Sequence, residues 1–210
     1  MSQTVDYDAY ASKMRRLALA GTDLEVDARF LDMLAPRGSR ILDIGCGIGS
    51  AVNALRQRGH EAYGVDPTNA VLDVAGELFE ESWYRTLPVE EISSPVLLSE
   101  RLPAQYEAIL MSGNVPAFLA KDALRDAFLE VSRLLVAGGL FVVGTTSGVR
   151  GGPHDQDSAA ASANLPLIHR FSDWHLGPFT TGSSWSVSVF AKPGVMETGT
   201  GPNGIFTLNG

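Results

Sequence analysis

Residues 40–50 read Arg40-Ile41-Leu42-Asp43-Ile44-Gly45-Cys46-Gly47-Ile48-Gly49-Ser50, an apolar run that breaks directly into alternating glycines. Arg40 to Ile44 has the pattern of a strand buried on both faces, polar only at Asp43. Ser50 to Arg58 then resumes helical spacing through Ala51, Val52 and Leu55. Strand, tight turn and helix therefore follow one another. The alternating glycines free the turn backbone and remove side chains, so a flat ligand can lie close to the main chain and face the helix N-terminal N–H groups.

The stretch Asp43-Ile-Gly-Cys-Gly-Ile-Gly49 resembles the first motif of the class I S-adenosylmethionine-dependent methyltransferases. The resemblance implies an α/β fold: a Rossmann-like seven-stranded sheet of order 3-2-1-4-5-7-6, with strand 7 antiparallel and helices on both faces. It implies S-adenosyl-L-methionine as cofactor and S-adenosyl-L-homocysteine as product. Asp43, Gly45, Cys46, Gly47 and Gly49 then belong to the cofactor site, with Asp43 near the methionine end. Two alternatives stand beside it. An NAD(P)-dependent oxidoreductase fingerprint G-x-G-x-x-G counted from Gly45 requires glycine where Ser50 stands. A non-catalytic S-adenosylmethionine-binding module is the other.

With 210 residues the chain suits a single α/β domain. It divides into an N-terminal helical cover (1–38), a cofactor-binding core (39–146), a substrate-side loop with a C-terminal hairpin (147–192) and a tail (193–210). Net charge is −8 with no Lys/Arg cluster, which disfavours a phosphate backbone as partner and points to a small-molecule acceptor. No run approaches the ~18 apolar residues of a membrane span, and residues 1–8 lack the basic and apolar parts of a signal peptide, so a cytoplasmic protein is expected. The expected assembly is a monomer or homodimer. The single cysteine, Cys46, reads as a small residue fitting a crowded turn rather than a nucleophile, and no metal site is expected.

Before the first strand, residues 5–20 are loosely helical, and the resemblance makes Tyr7 and Tyr10 candidate lid residues over the cofactor. Thr22 and Glu25 form a capping-box pattern for a helix ending at Pro36 and Gly38. Beyond Gly59, Glu61 to Val65 reads as the second strand. Asp66-Pro67 at its end stands about twenty residues after the first glycine, where such sites place an acid against ribose hydroxyls. Thr68 is the expected cap of the next helix. Trp83-Tyr84-Arg85 reads as the third strand. Its end lacks the acid that the resembling family usually turns toward adenine, which leaves Thr86, Leu87 or a backbone group for that contact.

Residues 92–105 read as a surface connection and Glu107 to Met111 as the fourth strand. Its tip, Ser112-Gly113-Asn114, faces the transferable methyl in the resembling family. Asp122 is the expected cap of a helix through Leu124, Phe128, Val131 and Leu135, ended by Gly138-Gly139 before the fifth strand, Leu140 to Thr145. The following loop carries Arg150 and His154 on the side where substrate contacts vary. Leu167 to Phe171 and Ser184 to Phe190 form an antiparallel pair joined by a loop holding Trp174 and His175. His154 and His175 are the candidate catalytic bases, and Arg150 and Trp174 the candidate substrate contacts. A Gly-Asn-Val strand tip with a Trp-bearing loop also resembles a bacterial group of small methyltransferases.

Overall fold

The computed structural model describes residues 6–196. Arg40–Ile44 forms β1, an interior strand of a seven-stranded sheet. Its partners are β2 (Glu61–Asp66) and β4 (Tyr106–Met111), both parallel to it. Outward from these lie β3 (Tyr84–Thr86) beyond β2, and β5 (Leu135–Thr146) beyond β4. Next to β5 runs β7 (Trp185–Ala191), antiparallel, and β6 (Leu167–Phe171) closes that edge. The order is β3-β2-β1-β4-β5-β7-β6, as the resemblance implies.

Ile41, Leu42 and Ile44 are fully buried, each stabilising the fold by at most about 1.5–3 kcal/mol, an upper figure because unfolded chains already hide some surface. Successive side chains on β1 point to opposite faces. Leu42 and Ile44 enter one core with Ile109, Phe128, Phe141 and Phe190. Ile41 enters the other, with Ala28, Phe30, Leu31, Val52 and Leu55. Asp43 shares the Ile41 face, which places its carboxyl under the two helices that supply those residues: α2 (Val26–Leu34) and α3 (Ser50–Gln57).

Over the glycine turn lies α1 (Tyr7–Leu19), capped by Asp6, whose side chain accepts from the Ala9 N–H at 2.9 Å. Its Ala11 is buried against Ile48 of the turn and Val71 of α4 (Asn69–Leu78). An Arg15–Glu77 ion pair ties the same two helices together. The expected cover is thus a helix seated on the turn. The chain continues through α5 (Ser94–Ser99), α6 (Val115–Phe118), α7 (Lys121–Leu134) and α8 (Pro153–Ser162).

Several local expectations are corrected. Helix α2 starts four residues after Thr22, with Glu25 at the cap position and no side-chain capping bond, because Asp23 takes the Glu25 N–H and the Arg29 guanidinium instead. Residues 92–105 contain α5, whose Leu97 is fully buried, so the serines and prolines there conceal a core contact. Ala120 rather than Asp122 precedes α7; Asp122 sits in the first turn, where its charge still suits the helix dipole. Gly138-Gly139 does not end that helix. It lies in β5, where the ladder to β4 shifts between Leu135 and Leu140, and Gly138 takes φ +76°. Strands β3 and β7 begin one residue later than expected, at Tyr84 and Trp185, and Thr68 precedes α4 without a side-chain cap bond. The late apolar residues Ile205, Phe206 and Leu208 of the tail lie outside the described residues.

Candidate active site

The turn after β1 is braced from both sides. Gly47 donates its N–H to Asp66 Oδ2 at 3.0 Å, and Thr68 donates to Oδ1 of the same carboxylate at 2.9 Å. From below, the Tyr84 hydroxyl donates to the Gly49 carbonyl at 3.2 Å. Cys46 sits against Gly64, where a Cβ would come within 2.6 Å of its sulfur. Burial pushes the Cys46 thiol well up, so it behaves as packing rather than as a nucleophile.

Above the turn there is room. Gly47 has φ +54°, and a Cβ added there would meet nothing within 4 Å; the same holds at Gly113, φ +68°, beyond the β4 tip. Gly45 differs, because a Cβ there would strike Cγ2 of Val115. The cradle is therefore open at two glycines and walled at the third by α6.

Three carboxylates surround it. Asp43 is 1 % exposed, and its Oδ1 has no hydrogen-bond partner among the described residues. Burial, followed by the charges of Asp27 and Asp66, lifts its pKa well above the usual carboxylate range. Asp66, 8 % exposed, is also raised by burial, against the lowering effect of its two N–H donors. Asp27 in the first turn of α2 is raised by burial too, opposed by the Ser112 side chain and the Ala28 N–H. An unpaired buried carboxylate costs several kcal/mol unless a cation or a proton neutralises it. This site fits a ligand that arrives positively charged.

The other expected residues are placed as follows. Tyr10 and Tyr7 are both exposed side chains of α1, and Tyr10 lies near enough to Asp66 for that charge to add to partial burial in raising its phenol pKa. Pro67 is exposed beside Asp66. Thr86 is engaged with Asn69, its hydroxyl donating to Oδ1 at 2.7 Å. The Leu87 side chain is turned into the core under the sheet, so only its main chain is left to meet a ligand. At the β4 tip, Asn114 takes φ +73° and its Oδ1 accepts from Thr145 Oγ1 at 2.7 Å and Thr146 N at 2.8 Å. Those bonds fix the amide and leave its NH2 group facing away from β5.

Trp174 lies across Gly144 of β5 and meets Phe30 of α2 edge to face, centroids 5.5 Å apart. It joins the hairpin loop to α2. Arg150 donates to the Ala117 carbonyl at 3.0 Å, bracing the loop after β5 against α6. His154 is 95 % exposed on α8, with Asp155 3.8 Å away, and nothing orients its ring. His175 sits in the hairpin loop, its N–H donating to Asp173 Oδ1 at 2.7 Å, close enough to Asp23 to help lower that carboxyl's pKa. Asp27 and Asn69 were not singled out in the sequence. Asp27 reads there as one more polar residue of an amphipathic helix, and only the packing of α2 over β1 sets it beside Asp43.

Comparison with known proteins agrees with this geometry. A family model described as "Methyltransferase domain" matches residues 41–139. Ubiquinone biosynthesis O-methyltransferase of Alkalilimnicola ehrlichii is 42% identical over 60 residues, 27% of this chain and 24% of that protein. The enzyme of the same name from Paracidovorax citrulli is 31% identical over 121 residues, 51% of this chain and 50% of that one. The chain thus spans between a quarter and half of the length of these curated relatives. A TehB-like SAM-dependent methyltransferase of Corynebacterium glutamicum matches almost end to end: 34% identity, TM-score 0.77, 89% of this chain and 97% of that one. These likenesses displace the nicotinamide alternative, already disfavoured by Ser50 and by the antiparallel β7. The chain belongs to the class I S-adenosylmethionine-dependent methyltransferases.

Proposed function

We propose that this chain transfers the methyl group of S-adenosylmethionine to a small-molecule acceptor held at the β4 tip, by in-line displacement. The observation that carries this reading is the open space at Gly47 and Gly113, flanked by the buried carboxylates at the carboxyl ends of the central strands. Open α/β sheets take their ligands there.

When bound, S-adenosylmethionine supplies a methyl carbon on a cationic sulfur. The chain's part is orientation: Gly47 and Asp66 would hold the nucleoside side, and Asp43 would meet positive charge at the other end. In-line displacement would require the acceptor atom roughly 3–3.5 Å from the methyl carbon. Asn114, locked by Thr145 and Thr146, offers the acceptor a donor in a fixed place. Tyr7, Tyr10, Arg150 and Trp174 form the rim. Where the acceptor carries a dissociable proton, His175 and His154 are the bases to test; both are exposed, and only the His175 backbone is fixed, by Asp173. The O-methyltransferase activity of the relatives supports hydroxyl acceptors as the first to try.

The test is to incubate the protein with labelled S-adenosylmethionine and panels of small phenols, alcohols, amines and thiols, following S-adenosylhomocysteine release. At least one small compound should stimulate release and carry the label. Label accumulating only on added protein or RNA would overturn the small-molecule reading.

A further inference from the structure

We propose that residues 148–152, the loop between β5 and α8, are a strap that holds α6 against the glycine turn, and that lifting of this strap governs how fast the cofactor leaves. This rests on S-adenosylmethionine as the methyl donor.

The contacts form one line from the turn to the strap. Gly45 has no room for a Cβ because Val115 of α6 lies against it, and Gly151 has none because the Pro116 carbonyl lies against it. Helix α6 is four residues long, too short to stand alone, and is in effect a wedge between these two glycines. Three side-chain bonds hold the strap down. The Gly151 N–H donates to Asp155 Oδ2 at 2.9 Å, and the Gly151 carbonyl accepts from Gln156 Nε2 at 2.8 Å. Of the three, only the bond from the Arg150 guanidinium to the Ala117 carbonyl, at 3.0 Å, reaches α6.

The closed strap hides polar atoms that it does not satisfy. Among the described residues six buried side-chain polar atoms lack a partner, and three of them border this segment: Ser147 Oγ at its start, Gln156 Oε1 in the helix that follows, and Trp185 Nε1 on the strand residue paired with Thr146. Each costs free energy that contact with water would return, so their clustering lowers the cost of opening here. Val149 and Arg150 are exposed, and no packed core resists the movement. Lifting the strap removes the support behind Pro116 and lets α6 draw Val115 back from Gly45, which widens the turn and frees the ligand. A ligand seated on the turn in turn keeps α6 and the strap in place, because the coupling is reciprocal. Release steps of this kind limit turnover in many enzymes.

Hydrogen exchange of the Gly151 and Gly152 amides, read by mass spectrometry, and stopped-flow dissociation of S-adenosylhomocysteine test the link together. S-adenosylhomocysteine should slow exchange of these amides in the wild-type protein. Arg150→Ala should speed their exchange in the ligand-free protein, and speed dissociation of S-adenosylhomocysteine, by a similar factor of about threefold to tenfold for one hydrogen bond. Ser147→Ala, which deletes an unpaired hydroxyl, should slow both. Faster exchange in Arg150→Ala with dissociation at the wild-type rate overturns the gate, since a strap that only packs opens without consequence for the ligand. Faster dissociation with unchanged exchange overturns it as well, because Arg150 would then act by touching the ligand. If Ser147→Ala slows neither rate, the unpaired atoms do not drive the opening and the proposal fails. Failure of the wild-type protein to bind S-adenosylhomocysteine would instead overturn the methyl-donor reading, and the release gate with it.

Discussion

Replacing Asp66 by alanine separates the turn brace that the structure shows from the ribose contact proposed for the same side chain. Its carboxylate accepts the Gly47 N–H at 3.0 Å and the Thr68 N–H at 2.9 Å, one on each oxygen. Each oxygen keeps a free lone pair, so a ribose diol can donate to the same carboxylate without displacing the turn. Hydrogen bonds to a charged group contribute about 1.5–3 kcal/mol each, but Asp66 is also desolvated, and its removal gives part of that back. The net loss of stability in the ligand-free Asp66→Ala protein should be about 1–3 kcal/mol, read from urea unfolding with an unchanged m-value. Loss of the sugar contacts should weaken S-adenosylhomocysteine by a further 1–3 kcal/mol or so, between about fivefold and 150-fold in Kd by calorimetry. Asp66→Asn should not rescue either property, because its NH2 group would face one of the two N–H donors. A variant that loses stability but binds with wild-type affinity would show that Asp66 only braces the turn, and the ribose role would be refuted.

Two further outcomes are expected. Asp43→Asn should stabilise the ligand-free protein, because burial raises the Asp43 pKa above its unfolded value. Between those two values the unfolded chain releases a proton that the folded chain keeps, so wild-type stability falls as pH rises. Asp27 and Asp66 face the group and steepen the fall, with Arg29 acting weakly through Asp27. Thermal melts from pH 5 to 8 should therefore show Asp43→Asn gaining on the wild-type protein as pH rises; parallel curves would contradict the raised pKa. Gly144→Ala should drive a methyl into the Trp174 ring, costing about 1–3 kcal/mol and altering tryptophan emission as the ring leaves Phe30. Unchanged emission would mean that Trp174 does not depend on that glycine.

How much of this was legible in advance follows from the range of the forces involved. Strand, turn and helix around residues 40–50 are local events, governed by apolar spacing and by glycines whose backbone needs nothing from elsewhere in the chain. Asp66 was legible for a related reason, since its distance from the turn is one crossover of a parallel sheet. Helix starts at Thr22 and Asp122 were misplaced because a capping side chain is a weak preference that a neighbour such as Asp23 can override. The glycines at 138 and 139 looked like a helix stop, yet they serve a ladder irregularity that exists only once β4 lies alongside.

By itself, then, the sequence determined the open turn and the acid at the end of the second strand, because each depends on residues close together or on one crossover of fixed length; the sheet order was implied by the family resemblance that the turn carries. Only the tertiary structure decided that α1 sits on Ile48, that Trp174 is seated on Gly144, and that the Asp27 charge comes near enough to be felt by Asp43, sixteen positions away in the chain. Burial is a property of the packed chain. Until α2 covers β1, Asp43 is an ordinary solvated carboxylate, and only its removal from water makes it a group that must be neutralised by a cation or a proton.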